Sequence, residues 1–273
     1  MLADRPGMCS TDIIVLRPRD DLDPYFLGAL VHSPPFRELA IATTTGSNHP
    51  RTSWSALRRY RTGLPPLAEQ RAIAHILRSV QKAVEAVGAS PIRSGDPDDV
   101  RGASKLILPG VGAFGACASA LRGHGLEEPV LDAVRKGVPL LGVCVGMQLL
   151  FEASEEMGEH AGLGILPGRV VRFPADMQED GRLLKVPHMG WNRLRPAAAD
   201  SPLLNGLEED AYVYFVHSYF ADAEPRDVLA TCRYGIDFPA VVGRNNVFGV
   251  QFHPEKSQAA GLRILRNFVE SIE

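Results

Sequence analysis

Cys144 lies in Gly142-Val143-Cys144-Val145-Gly146, after the apolar run Val138–Val143 and before the helical pattern that opens at Met147. A nucleophile exposed at a sharp strand-to-helix turn needs small neighbours, because the chain reverses direction close to the reactive atom. Glycines stand on both sides here, and a helix N-terminus beside the sulfur favours the thiolate, the attacking form. An inert core thiol is the plain alternative for a cysteine on an apolar strand; the paired glycines argue against it. A thiol also needs a base that takes its proton and returns it to the leaving group. Phe252-His253-Pro254-Glu255 ends a second apolar run, Val247–Phe252, and offers an imidazole with a carboxylate two residues on to orient it. Alone, His-x-Glu is a weak signal; its place at a strand end gives it weight.

Acyl transfer at a thiol builds an oxyanion, which backbone N–H groups stabilise. Pro109-Gly110-Val111-Gly112 follows the short strand Lys105–Leu108, and its glycines let the backbone approach closely. One donor is expected from this turn and another from Val145, next to the nucleophile. An ordinary strand-to-helix turn is the alternative. The run Gly110-x-Gly112-x-x-Gly115 also matches a dinucleotide-binding fingerprint, but no second strand ending in an acidic residue follows about 20 residues on.

These groups need a sheet to hold them. A helical pattern runs from Leu67 to Val87, with Ile73, Ile76, Leu77, Val80, Val84 and Val87 at helical spacing and Gly88 as its cap. Ala113–Gly137 reads as helical with a break at Gly123–Gly125, Met147–Glu156 as a helix, and Ser257–Ile272 as a closing amphipathic helix. Strands are expected at Lys105–Leu108, Val138–Val143, Tyr212–Phe220, Val228–Tyr234, Ala240–Arg244 and Val247–Phe252. Alternating strands and helices predict an α/β fold with a mixed sheet flanked by helices. In the first 63 residues the one strand-like run is Asp12–Leu16.

With 45% apolar and 22% charged residues over 273 positions, the chain has the balance of a soluble globular protein, and its net charge of −3 gives no argument for nucleic acid or membrane. The N-terminus shows no secretory signal, and the apolar run Val138–Val145 is too short to span a bilayer. Cys9, Cys117, Cys144 and Cys232 are too scattered for a disulfide framework or zinc site, which fits a reducing cytoplasm. Cys9, Cys117 and Cys232 are read as structural.

Gly-x-Cys144-x-Gly with a distant His253-Pro-Glu255 resembles the class I glutamine amidotransferases. The finer match is to the glutaminase subunit of imidazole glycerol phosphate synthase. It rests on Leu108–Phe114, Gly142–Glu152, Val186-Pro-His-Met-Gly-Trp-Asn192, Tyr214-Phe-Val-His-Ser-Tyr219 and Gly249–Ser257, and covers residues 77–273. The resemblance implies glutamine hydrolysis through a thioester on Cys144 with His253 and Glu255, and oxyanion donors at Gly112 and Val145. It implies a glutamine pocket lined by Gly110, Gln148, His217, Ser218 and Tyr219, and no metal or organic cofactor. It further implies a heterodimer in which Trp191 and Asn192 face a (β/α)8-barrel cyclase that receives the ammonia. His188 and Lys256 belong either to loop structure or to that interface.

Residues 1–76 look different. Cys9–Arg17, Tyr25–Leu27 and Leu64-Pro-Pro-Leu-Ala-Glu-Gln-Arg-Ala-Ile-Ala74 resemble a fragment of a type I restriction enzyme specificity subunit. A non-catalytic, DNA-binding reading of the chain would rest on this part. The amidotransferase subunit opens with a strand ending in Asp-Tyr-Gly-x-Gly-Asn; Ala72–Ile76 stands in its place, so the chain reads as a chimera joined inside a helix.

Overall fold

The computed structural model describes residues 14–31, 33–46, 51–197 and 201–272. Two compact units divide the chain: residues 1–75 with 94–96, and residues 76–93 with 97–273. Among the described residues no helix is long and apolar enough to cross a membrane.

The first unit carries helices α1 (Pro24–Val31), α2 (Pro34–Ala42) and α3 (Trp54–Leu57), and the start of α4 (Leu67–Ala86). Gln70 gives a physical meaning to the Leu-Pro-Pro-Leu-Ala-Glu-Gln run. Its buried amide donates to the carbonyls of Asp21 and Pro65 and accepts from the Asp23 N–H, at 2.9–3.0 Å. All its hydrogen-bonding capacity toward the interior is met, as a buried amide requires. The expected strand at Asp12–Leu16 does not form in its described part: Ile14, Val15 and Leu16 are in no strand, and Asp12 and Ile13 lie outside the described residues.

In the second unit the C-terminal part of α4 and the residue after it bury Ile76, Val80, Val84 and Val87 of the stripe read in the sequence, together with Ala83. Ile76→Ala there would cost about 2–5 kcal/mol through lost burial and the cavity left. The unit continues through β1 (Leu106–Gly110), α5 (Pro97–Arg101), α6 (Phe114–Gly123), α7 (Glu127–Arg135), β2 (Leu140–Cys144) and α8 (Val145–Gln148). It then adds β3 (Gly168–Arg172), β4 (His188–Arg193), β5 (Tyr212–His217), β6 (Tyr219–Ala223), β7 (Val228–Tyr234), β8 (Ile236–Arg244), β9 (Val247–Val250) and α9 (Gln258–Ser271). The main sheet has the order β1-β2-β9-β8-β7, closed by the short strand Arg195–Pro196. β1, β2 and β9 run parallel and the rest antiparallel. β2 is buried along its whole length, which explains its unbroken apolar sequence. β4 and β5 form a separate two-stranded ribbon, and β6 pairs with β3 in a four-stranded sheet. Lys105 caps the C-terminal end of α9 by donating to the carbonyls of Phe268, Val269 and Ile272.

Two expected elements differ. The helix expected at Met147–Glu156 is one turn, Val145–Gln148. The carbonyls of Leu149, Leu150 and Phe151 accept instead from the amides of Leu163, Ile165, Leu166 and Gly164, so the helical ladder has no acceptors left. The single strand expected at Tyr212–Phe220 is two, β5 and β6, broken at Ser218, whose carbonyl accepts from Phe173 in the neighbouring sheet. The other expected helices, at Leu67–Val87, Ala113–Gly137 and Ser257–Ile272, form as α4, α6 with α7, and α9, whereas α1, α2, α3 and α5 have no expected counterpart.

β1 pairs only with β2 among the described residues, and it is half-buried where β2 is fully buried. An open edge of Leu-Ile-Leu leaves backbone groups without ladder partners. Fusing a strand ending in Asp-Tyr-Gly-Met-Gly-Asn directly ahead of Leu77, in place of residues 1–76, should raise the melting temperature by about 3 °C or more in a thermal scan. No change, or unfolding on deletion of residues 1–63 alone, would show that the N-terminal residues belong to the working fold.

Candidate active site

The carboxyl ends of β1, β2 and β9 lie side by side, the usual place for a site in an open α/β sheet. Cys144 ends β2 and opens α8 with φ 56° and ψ −115°, a backbone conformation that costs a non-glycine residue about 1–3 kcal/mol. Close packing enforces it. A Cβ on Gly146 would lie 1.7 Å from the Leu108 carbonyl oxygen, and one on Gly142 would lie 2.6 Å from the Gly146 carbonyl oxygen. Since α8 is a single turn, its dipole is small, and the main charge partner for the thiol is an imidazole.

That imidazole is His253. Val250 sits opposite Val143 in the sheet register, so the chain leaving β9 passes beside Cys144. His253 Nδ1 is 2.9 Å from Glu255 Oε1, which leaves Nε2 for Cys144, the thiol that lines the same pocket. Burial by itself pushes the His253 pKa down; the bonds to Cys144 and Glu255 outweigh it and hold the ring raised, at about 9. The ring is therefore held in its charged form at neutral pH, beside the Cys144 sulfur. The loop is fixed from below. His253 N–H donates to the Tyr214 carbonyl at 3.0 Å, Ser257 Oγ donates to the His253 carbonyl at 2.7 Å, and Tyr214 N–H donates to Ser257 Oγ at 3.0 Å.

A pocket opens over the sulfur, lined by Val111, Gly112, Cys144, Val145, Gln148, Glu156, Val216, His217, Ser218, Tyr219 and His253. Of the residues singled out in the sequence, Gly112, Val145, Gln148, His217, Ser218 and Tyr219 gather here. Gly110 does not line it; it packs against the Val145–Gly146 backbone. Two residues escaped the sequence reading. Glu156 lines the pocket and accepts the Phe114 N–H at 2.6 Å, although Glu155-Glu156 reads in sequence as the end of a helix. Gln251 is wholly buried, with Nε2 4.0 Å from Cys144 Sγ and Oε1 accepting from Gln148 Nε2 at 3.1 Å. Its signal was a polar residue inside the apolar run Val247–Phe252.

Trp191 does not reach the pocket. It is 46% exposed on β4, beside Met189 at 62%, and meets Tyr214 edge-on at 6.0 Å. Lys256 Nζ lies 5.9 Å over the Tyr214 ring. The Asn192 amide points inward, donating to the Arg233 carbonyl at 2.8 Å. Cys232 is buried, with its thiol pushed up to about 12 by burial, and Cys117 donates to the Val111 carbonyl at 3.2 Å. Cys9 lies outside the described residues.

Beneath the pocket, His188 and His217 face each other across the β4–β5 ribbon, with His188 Nδ1 3.1 Å from His217 Nε2. Burial lowers both, His188 to about 4 and His217 to about 3. The unfolded rings protonate near 6.5 while the folded rings stay neutral, so the unfolded state binds more protons as pH falls. Their contribution is complete above 6.5 and lost on acidification toward 4 and below, by up to about 1.4 kcal/mol per pH unit for each ring. Denaturant titrations between pH 7 and 4 should show this decline, and His217→Gln should flatten it; parallel profiles for the two proteins would contradict it.

The fold and site agree with the similarity of the chain to known proteins. Residues 69–272 match the family model for glutamine amidotransferase class-I. Imidazole glycerol phosphate synthase subunit HisH of Salinibacter ruber is 58% identical over 196 residues, 70% of this chain and 88% of that protein. The subunit HisH of Syntrophotalea carbinolica is 56% identical over 70% of this chain and 93% of its own length. A crystal structure of a glutamine amidotransferase, 25% identical, covers 71% of this chain and 92% of that one with a TM-score of 0.54. PurLQS from Thermotoga maritima, at 19% identity and a TM-score of 0.56 over 72% of this chain and 92% of its own, shares the fold. With its sequence match spanning the whole second unit and a buried Cys-His-Glu set at its strand ends, this chain belongs to the class-I glutamine amidotransferases, among the HisH subunits of imidazole glycerol phosphate synthase.

Proposed function

We propose that Cys144, His253 and Glu255 are the residues that hydrolyse glutamine in this chain, and that the ammonia passes to the cyclase subunit HisF, a (β/α)8 barrel. The observation that carries the reading is the buried His253 ring, bonded to Glu255 through Nδ1 and sharing one pocket with the Cys144 thiol, which raises its pKa. The Cys144 thiolate attacks the side-chain amide carbon of glutamine to form a C–S bond, and the π electron pair of the C=O bond moves onto the amide oxygen. The N–H groups of Gly112 and Val145 are the oxyanion donors in this reading. His253 gives its proton to the leaving nitrogen, ammonia departs, and a γ-glutamyl thioester remains on sulfur. Water then adds to the thioester with His253 as base, glutamate leaves, and the thiol is restored. Glu255 holds the ring and stabilises its charged form. The Glu156 carboxylate in the pocket suits the α-ammonium of the substrate. The exposed Met189 and Trp191, with Tyr214 and Lys256, form the apolar and cationic face offered to the partner.

Cys144→Ala should abolish glutaminase activity while leaving the fold intact by circular dichroism, and a glutamine-derived chloroketone should label Cys144 ahead of Cys9, Cys117 and Cys232. His253→Ala should lower turnover by roughly two to four orders of magnitude, and Glu255→Gln by less. Even labelling of all four cysteines would sink the assignment.

The oxyanion turn, which leaves edge strand β1 at Gly110 and runs through Gly112, is the segment whose geometry the partner sets in this reading. Glutaminase activity of the lone chain should be low, and adding the cyclase barrel with its nucleotide ligand should raise it strongly; full activity without the barrel would refute this gating.

A further inference from the structure

A line of hydrogen bonds runs from the outer ribbon into the pocket floor, and its donors and acceptors can be placed along its whole length. Asn192 Oδ1 accepts from the Arg193 N–H at 2.8 Å, so its Nδ2 is the donor to the Arg233 carbonyl and, at 3.4 Å, to His188 Nε2. At the other end the Tyr219 carbonyl can only accept, so His217 Nδ1, 2.8 Å away, carries the ring proton. A neutral His217 then offers only a lone pair at Nε2, and His188 Nδ1–H is its donor at 3.1 Å. The same Tyr219 carbonyl accepts from Gln148 Nε2 at 3.0 Å, so both its lone pairs are engaged. Tyr219, Ser218, His217 and Gln148 all line the pocket, whereas His188 does not.

We infer that His188 is a positioning residue for the substrate pocket, holding His217 in its Nδ1–H form so that the Tyr219 carbonyl and the Gln148 amide stay fixed. This rests on the reading of the Cys144 pocket as the glutamine site. Its ring is 2% exposed and stacks between Phe215 at 4.8 Å and Tyr234 at 4.1 Å, so it cannot turn to offer its other nitrogen. Loss of its donor would leave the buried His217 Nε2 without a partner and remove one of the two contacts that keep the proton on Nδ1, the Tyr219 carbonyl being the other. In the molecules whose proton moves to Nε2, the Tyr219 carbonyl loses one of its two donors, and the wall of the pocket loosens.

His188→Phe tests this, because it keeps an aromatic ring in the stack and deletes the Nδ1 donor, together with the long 3.4 Å contact from Asn192 to Nε2. In the complete complex KM for glutamine should rise about tenfold, the equivalent of one lost hydrogen bond, while kcat changes far less. His188→Asn, which restores a side-chain N–H, should recover much of the loss. Nitrogen-15 NMR of the ring nitrogens supplies a readout that packing alone does not move. Wild-type His217 and His188 should both be protonated at Nδ1, and His217 should lose that uniform state in His188→Phe. An unchanged KM with an unchanged His217 spectrum in a folded His188→Phe protein overturns the inference. So does a wild-type His217 carrying its proton on Nε2, a result that stands even if the variant does not fold. Correct ring protonation in a chain that never hydrolyses glutamine would instead remove the assignment of the pocket.

Discussion

The rest of the site depends on one buried charge. An imidazole removed from water prefers to be neutral, as His188 and His217 are in the same unit. His253 is raised because Cys144 and Glu255 meet it on opposite sides, and neither alone is near it in sequence and in space by accident. Glu255 is two residues away on the same loop. Cys144 is brought there by the parallel pairing of β2 with β9, across the 108 residues of chain between Cys144 and His253. Shifting either strand by one residue would point its side chains to the other face and part the pair.

That pairing explains the cost of the local backbone. Cys144 sits in a conformation disfavoured for any residue with a Cβ, and the neighbouring glycines exist to let β1, the elbow and α8 close to contact distance. The strain is held by a buried parallel core, with Leu140, Leu141 and Val143 fully enclosed. β1, which carries the oxyanion turn, is by contrast an edge strand with only one neighbour among the described residues. The nucleophile therefore rests on the firmest part of the sheet and its oxyanion turn on a less supported one.

The β4–β5 ribbon is the second support. Tyr214 and Ser257 tie it to the His253 loop, and His217 ties it to the pocket wall. Its strand β4 alternates, with His188 and Asn192 turned inward and Met189 and Trp191 outward. The surface read as the partner face and the network beneath the substrate pocket thus share one backbone.

The sequence determined the elbow, the base with its orienter, the helices at Leu67 and Ser257, and the alternating plan of the fold. Each is a local matter: glycines beside a thiol, a carboxylate two residues from an imidazole, apolar residues at helical or strand spacing. Tertiary structure decided what depends on partners distant in the chain. The helix after Cys144 stops after one turn because the amides of residues 163–166 take its carbonyls. Glu156 becomes part of the pocket only because that helix ends, and Gln251 reaches the Cys144 sulfur only because β9 lies beside β2. His188 could be loop or interface in the sequence; its cross-strand pairing with His217 makes it the inner support of the ribbon, since an imidazole's role is set by what its two nitrogens meet.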